Sequence, residues 1–204
     1  NDNPGNGEYG RAGNIRVDFL ELDWEYAYAN DYNTGSVNIY LSGNVFVRNS
    51  AGDVLGNIDT HRSRTDWNNK QRSGSVMVNH DGGLVADQIL TYNTGDNYSD
   101  TGGVTLEGDG LGDGASGYLN VNTINTEARL HFQYDTLETH ISGYLGVTIN
   151  DIITRAGYAG DITIEDIEGD VLITGTIDAG SDDITRAGVV SITADGKIEL
   201  TSPA

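Results

Sequence analysis

The chain has 204 residues, with 31 acidic against 11 basic side chains, a formal charge of −20 and no cysteine. This surplus of carboxylates repels phosphate backbones and anionic membrane surfaces, which argues against a nucleic-acid partner, and the absence of thiols excludes disulfides and thiolate metal sites. No apolar run reaches the length of a signal sequence or a membrane span, so membrane insertion is not expected, and 28 Gly beside 2 Pro point to many tight turns.

The chain opens at Asn1 rather than Met, as a processed form or a piece of a longer protein would. Residues 1–12 are polar and carry no strand pattern; they read as an N-terminal extension that docks onto a neighbouring subunit. A phrase of the form small-x-apolar-x-apolar then begins at Gly13-Asn-Ile-Arg-Val and returns at Gly35, Gly74, Gly102, Ala128, Gly160 and Gly188. Its inward pairs are Ile15/Val17, Val37/Ile39, Val76/Val78, Val104/Leu106, Leu130/Phe132, Ile162/Ile164 and Val190/Ile192. Apolar residues at alternate positions, mostly β-branched, predict strands with one buried face.

A second phrase of the same form follows most of the first. It stands at Gly43, Gly117, Gly143, Gly169 and Gly196, with weaker versions at Asp18-Phe-Leu-Glu-Leu and Gly82-Gly-Leu-Val-Ala. A third, shorter element reads Asn57-Ile-Asp-Thr, Thr123-Ile-Asn-Thr and Thr176-Ile-Asp-Ala. The regular two-residue turns of successive hairpins are missing, so equivalent strands recurring about every 28 residues are expected to stack in parallel. The predicted fold is all-β: a single-stranded parallel β-helix, or β-solenoid, of six to seven coils over residues 13–200, with a C-terminal tail at 201–204. Insertions are expected in its turns near residues 61–73, where four of the basic residues lie, and 107–116.

The acidic clusters Asp109/Asp113, Glu165/Asp166/Glu168 and Asp178/Asp182/Asp183 show no spacing that sets two carboxylates across a substrate, so no catalytic residue is assigned. His61, His80, His131 and His140 stand in four separate contexts without ligand spacing. Calcium is the one cofactor for which candidates exist: Asp109 and Asp113 in a Gly/Asp loop, and Asp178 and Asp182 in a second. Asp and Gly are also what tight turns require, and plain turn chemistry is the stronger reading of both. Eleven Tyr are the remaining anomaly. Tyr118 and Tyr144 occupy matching places in consecutive second phrases and are expected to form an exposed aromatic contact surface.

The stretch Gly160-Asp-Ile-Thr-Ile-Glu-Asp-Ile-Glu-Gly-Asp-Val-Leu-Ile-Thr-Gly-Thr-Ile-Asp-Ala resembles the repeat region of filamentous-haemagglutinin-type bacterial surface proteins. That resemblance implies a right-handed β-helix, secreted or displayed at the cell surface, acting as adhesin, matrix component or stalk. Neither the secretion domain of that family, with its Asn-Pro signature motifs, nor a membrane barrel is found.

The first phrase is still in strand register at Gly188 to Leu200, and no amphipathic helix or polar cap closes either end of the repeat. Exposed strand edges offer unpaired backbone to any other chain. Head-to-tail contact between copies is therefore expected through Gly13, Ile15 and Val17 at one end and Val190, Ile192, Ile198 and Leu200 at the other. Three functions fit: a structural filament or matrix protein whose partner is itself; an adhesin segment binding glycan or another surface protein; and a polysaccharide-active enzyme.

Overall fold

The computed structural model describes residues 15–17, 22–24, 27–28, 37–41, 45–47, 56–61, 73–93, 100–109, 115, 117–128, 136–181 and 186–201. Among these residues there is no helix, and every pairing between named strands is parallel.

Each repeat unit contributes one strand to a seven-stranded sheet. In chain order these are β1 (Ile15–Val17), β4 (Val37–Leu41), β7 (Val76–His80), β9 (Val104–Glu107), β11 (Thr139–Ser142), β13 (Ile162–Ile167) and β16 (Val190–Ala194), each paired with its counterpart in the units before and after. The second strands line up likewise in a ten-stranded sheet: β2 (Leu22–Trp24), β5 (Val45–Val47), β8 (Leu84–Leu90), β10 (Tyr118–Asn125), β12 (Gly146–Ile153), β14 (Val171–Ile173) and β17 (Ile198–Leu200). Short third strands β3 (Ala27–Tyr28), β6 (Asn57–Asp59) and β15 (Ile177–Asp178) join this sheet, and in three units the second and third strands run on as one.

Register converts the repeated phrase into ladders. Val37, Val76, Val104, Thr139, Ile162 and Val190 are successive partners in the first sheet, with Ile39, Val78, Leu106, Ile141, Ile164 and Ile192 beside them. In the second sheet Val45, Leu84, Leu119, Val147, Val171 and Ile198 form the matching column. Apart from Thr139, Val190, Ile192 and Ile198, these side chains are buried in one continuous cluster, which Ile58, Ile89, Ile124 and Ile152 of the second sheet join. Each fully buried Val, Leu or Ile contributes about 1.5–3 kcal/mol.

The small residue that opens the phrase has a steric cause. A Cβ on Gly102 would lie 2.2 Å from the carbonyl oxygen of Gly74, and one on Gly117 would lie 2.1 Å from the carbonyl carbon of Gly82. At these corners the backbones of adjacent units touch, leaving no room for a side chain.

The Ile-Asp-Thr phrase is explained as well. Ile58, Ile124 and Ile177 share one column. The next residue turns the chain: Asp59 Oδ1 accepts from His61 N at 2.9 Å, Asn125 Oδ1 from Glu127 N at 2.8 Å, and Asp178 Oδ1 from Gly180 N at 2.8 Å. The position that follows in this column is a buried threonine in four units, Thr60, Thr91, Thr126 and Thr154, with Ala179 after Asp178, and in three of the four it fastens the corner. Thr60, Thr91 and Thr154 donate their hydroxyls to the carbonyls of Gly74, Gly102 and Gly160, which open the next unit, at 2.7, 2.7 and 2.9 Å. Ser73 and Thr136 work from the other side, each donating to the carbonyl of one of these threonines (Thr91 and Thr154) while accepting from a glycine amide of the following unit. The 61–73 insertion is pinched at its base by Thr60, whose carbonyl also accepts from Gly74 N; residues 62–72 lie outside the described residues.

Three sequence expectations are corrected. The fifth first-sheet strand is β11, Thr139–Ser142, not the phrase at Ala128. Ala128 instead makes an isolated bridge to Asn93, and Leu130 and Phe132 lie outside the described residues. The fifth second-sheet strand aligns Val147 and Ile149 with Leu119 and Val121, two residues beyond the phrase read at Gly143. In the first unit the column holds Leu22 and Trp24, not Leu20 and Leu22. The fifth unit escapes the pattern because Leu137, Thr139 and Leu145 stand where its neighbours carry Gly160, Ile162 and Gly169.

Candidate functional site: the terminal strand pair

The expected contact residues at the C-terminal end lie on β16 and β17, the last strands of their sheets among the described residues. Val190 pairs with Ile162, Ile198 with Val171 and Leu200 with Ile173, so these side chains hold inward ladder positions. Their partners are buried, yet Val190 is 43 % exposed, Ile198 42 % and Leu200 58 %, because among the described residues a strand covers only one side of each; Ile192 is half-buried. The result is an apolar end with in-register backbone, a form that invites pairing with another strand.

The same end is held from below by carboxylates. Asp161 Oδ1 accepts from Val189 N at 2.8 Å, and Asp170 Oδ1 accepts from Lys197 N at 2.7 Å. In the Gly-Asp starts of the sixth unit's phrases, the glycine permits close approach and the aspartate reaches the amide of the next unit. A share of the acidic surplus therefore has a structural role. Lys197 pairs with Glu199 at 2.5 Å; that hydrogen bond, with the carboxylate charge, raises the lysine pKa.

At the N-terminal end, Ile15 and Val17 pair with Val37 and Ile39 through β1, the other terminal strand of the seven-stranded sheet among the described residues. Gly13 and the 1–12 extension lie outside the described residues.

The expected tyrosine pair is overturned. Tyr118 is 66 % exposed, but Tyr144 is fully buried. The two are not in equivalent places, since Tyr118 pairs with Gly146. Gly143, at φ +72°, begins the turn from which the Tyr144 ring enters the core, and a Cβ on Gly108 would fall 2.7 Å from that ring. The phenol reaches His80 Nε2 at 3.0 Å, and both side chains are completely buried. Burial above all, then the Glu107 and Asp109 charges, pushes the Tyr144 pKa far up. Periodicity could not reveal this pair, because its members are 64 residues apart.

Of the calcium candidates, Asp178 is occupied by its turn, and Asp113 and Asp182 lie outside the described residues. Asp109 bridges to Asp81 and lines an open cleft of about 350 Å³ with Asp166, Glu168 and Asp195. Among the described residues no three His, Asp or Glu side chains are grouped to hold a metal ion. His61 contacts Asp59 at 2.5 Å and stacks on Tyr92, while His140 lies 3.8 Å from Glu138 and 3.9 Å from Glu165; His131 is outside the described residues. A second shallow groove of about 420 Å³ runs over the outer face of the seven-stranded sheet between Asn38, Met77, Thr105 and Leu137.

Comparison of the chain with protein-family models, curated proteins and solved structures returns no match.

Proposed function

We propose that the chain is a non-enzymatic structural protein: a parallel β-helix, right-handed like the surface-protein repeats it resembles, whose copies stack end to end into an extracellular or cell-surface fibre. The observation that carries this reading is the terminal strand pair, where Val190, Ile198 and Leu200 continue the inward ladders and lie open. Unit-to-unit pairing in both sheets supports the β-helix reading, since each unit covers the one before it. An acidic surface suits a fibre whose sides must not aggregate while its ends pair.

Light scattering on purified protein across a dilution series, with electron micrographs of the same samples, tests the proposal. Rods one subunit wide, growing with concentration, are expected; a monomer at every concentration, without rods, overturns it.

A further inference from the structure

We infer that the junction between copies continues the register of the interior: β16 of one copy pairs in parallel with β1 of the next, and β17 with β2. This rests on the stacking proposed above and adds its partner and alignment. The occupant of the open edge is a second copy of this chain, because the two ends are complementary. Among the described residues β1 and β2 are the terminal strands of the two sheets on one side, and β16 and β17 on the other. Four of the six internal steps of the first sheet join two strands of one phrase, the two through β11 being the exceptions, and the junction would be one more such step.

The columns extend without a break. Val190 and Ile192 stand in the ladder that Ile15 and Val17 begin, so the junction sets Val190 on Ile15 and Ile192 on Val17. In the second sheet Ile198 meets Leu22, and Leu200 meets Trp24. A shift by one residue would set polar positions against apolar ones along both strands at once, so register is specified twice over. Between the apolar positions, Ser191 falls on Arg16 and Glu199 on Asp23.

The chain has no cysteine, so paired substitutions report the register on a clean background. Arg16 and Ser191 of one copy are separated by six inter-strand steps, about 29 Å at about 4.8 Å each, far beyond the roughly 7 Å that a disulfide spans between Cα atoms. Any bond between them must join two copies. We would oxidise Arg16→Cys/Ser191→Cys and Asp23→Cys/Glu199→Cys, with the mismatched Arg16→Cys/Glu199→Cys as control, and resolve the products on denaturing gels. Both aligned variants are expected to give ladders of covalent oligomers, about tenfold more abundant than the control gives, because disulfide geometry is strict. Using two aligned pairs on different sheets keeps the test open if one variant does not fold. If light scattering shows assembly but the folded aligned pairs link no better than the control, the register is wrong and the stacking stands. If every folded variant and the unsubstituted protein are monomeric, the stacking itself fails.

Discussion

Tyr144 donates to or accepts from His80 Nε2 at 3.0 Å across an intervening repeat unit, over the backbone of Gly108. Most fastening in the molecule joins neighbouring units, whereas this contact ties the third to the fifth. It also fills the space left by the glycine between them.

Removing the phenol oxygen should weaken the fold without emptying the site. Tyr144→Phe is expected to cost about 1–2 kcal/mol, and Tyr144→Ala about 3–5 kcal/mol through the added cavity, read from denaturant midpoints. The pH dependence has a definite sign. The folded pKa is raised above the ordinary 10.0, so the unfolded chain releases the phenolic proton first and the stabilisation, complete below that value, is lost as pH rises above it. Wild type should therefore lose stability more steeply than Tyr144→Phe above pH 10.0. Parallel curves would show that the ring is not buried as described.

Thr139 offers the opposite case. Its hydroxyl is buried without a hydrogen-bond partner, in a column where its neighbours are Val104 and Ile162. Thr139→Val keeps the shape and removes the unsatisfied group, so it should stabilise by about 1 kcal/mol. A lower denaturant midpoint for the valine protein would contradict this placement.

Close approach at the corners makes Gly117 intolerant. Gly117→Ala forces a methyl group to within 2.1 Å of the Gly82 backbone, which cannot swing aside like a side chain. A loss of about 2–3 kcal/mol is expected. Thermal unfolding unchanged from wild type would mean that the units are spaced more widely than described.

Asp178 separates turn chemistry from metal binding. Asn125 makes the same turn in the same column, so Asp178→Asn should be close to neutral and Asp178→Ala should cost about 1 kcal/mol. A calcium-dependent melting temperature that disappears in the asparagine protein would assign the residue to a metal instead.

Much of the fold was legible because a strand with one buried face must alternate, and because stacked units must keep glycine where backbones meet. Val37, Val76 and Val104 carry that pattern openly. The fifth unit does not, since Leu137, Thr139 and Leu145 break it in both sheets, and Ala128 imitates it nearby. Tyr144 was misplaced for the same reason: Gly143-Tyr-Leu-Gly-Val looks like a strand start, but register begins at Gly146, leaving the tyrosine in a turn that points inward. The acidic residues gave no hint of their roles. Asp161 and Asp170 stitch one unit to the next, and only three-dimensional register brings them to the amides of Val189 and Lys197.

The exposed ladder residues of β17, Ile198 and Leu200, are expected to drive copies together. The most direct measurement is the weight-average mass, by light scattering over a dilution series, of wild type beside Ile198→Lys/Leu200→Lys. Wild type is predicted to grow in mass with concentration while the double variant, folded by circular dichroism, stays monomeric. A wild type that is monomeric throughout, or a variant that assembles equally well, would contradict it.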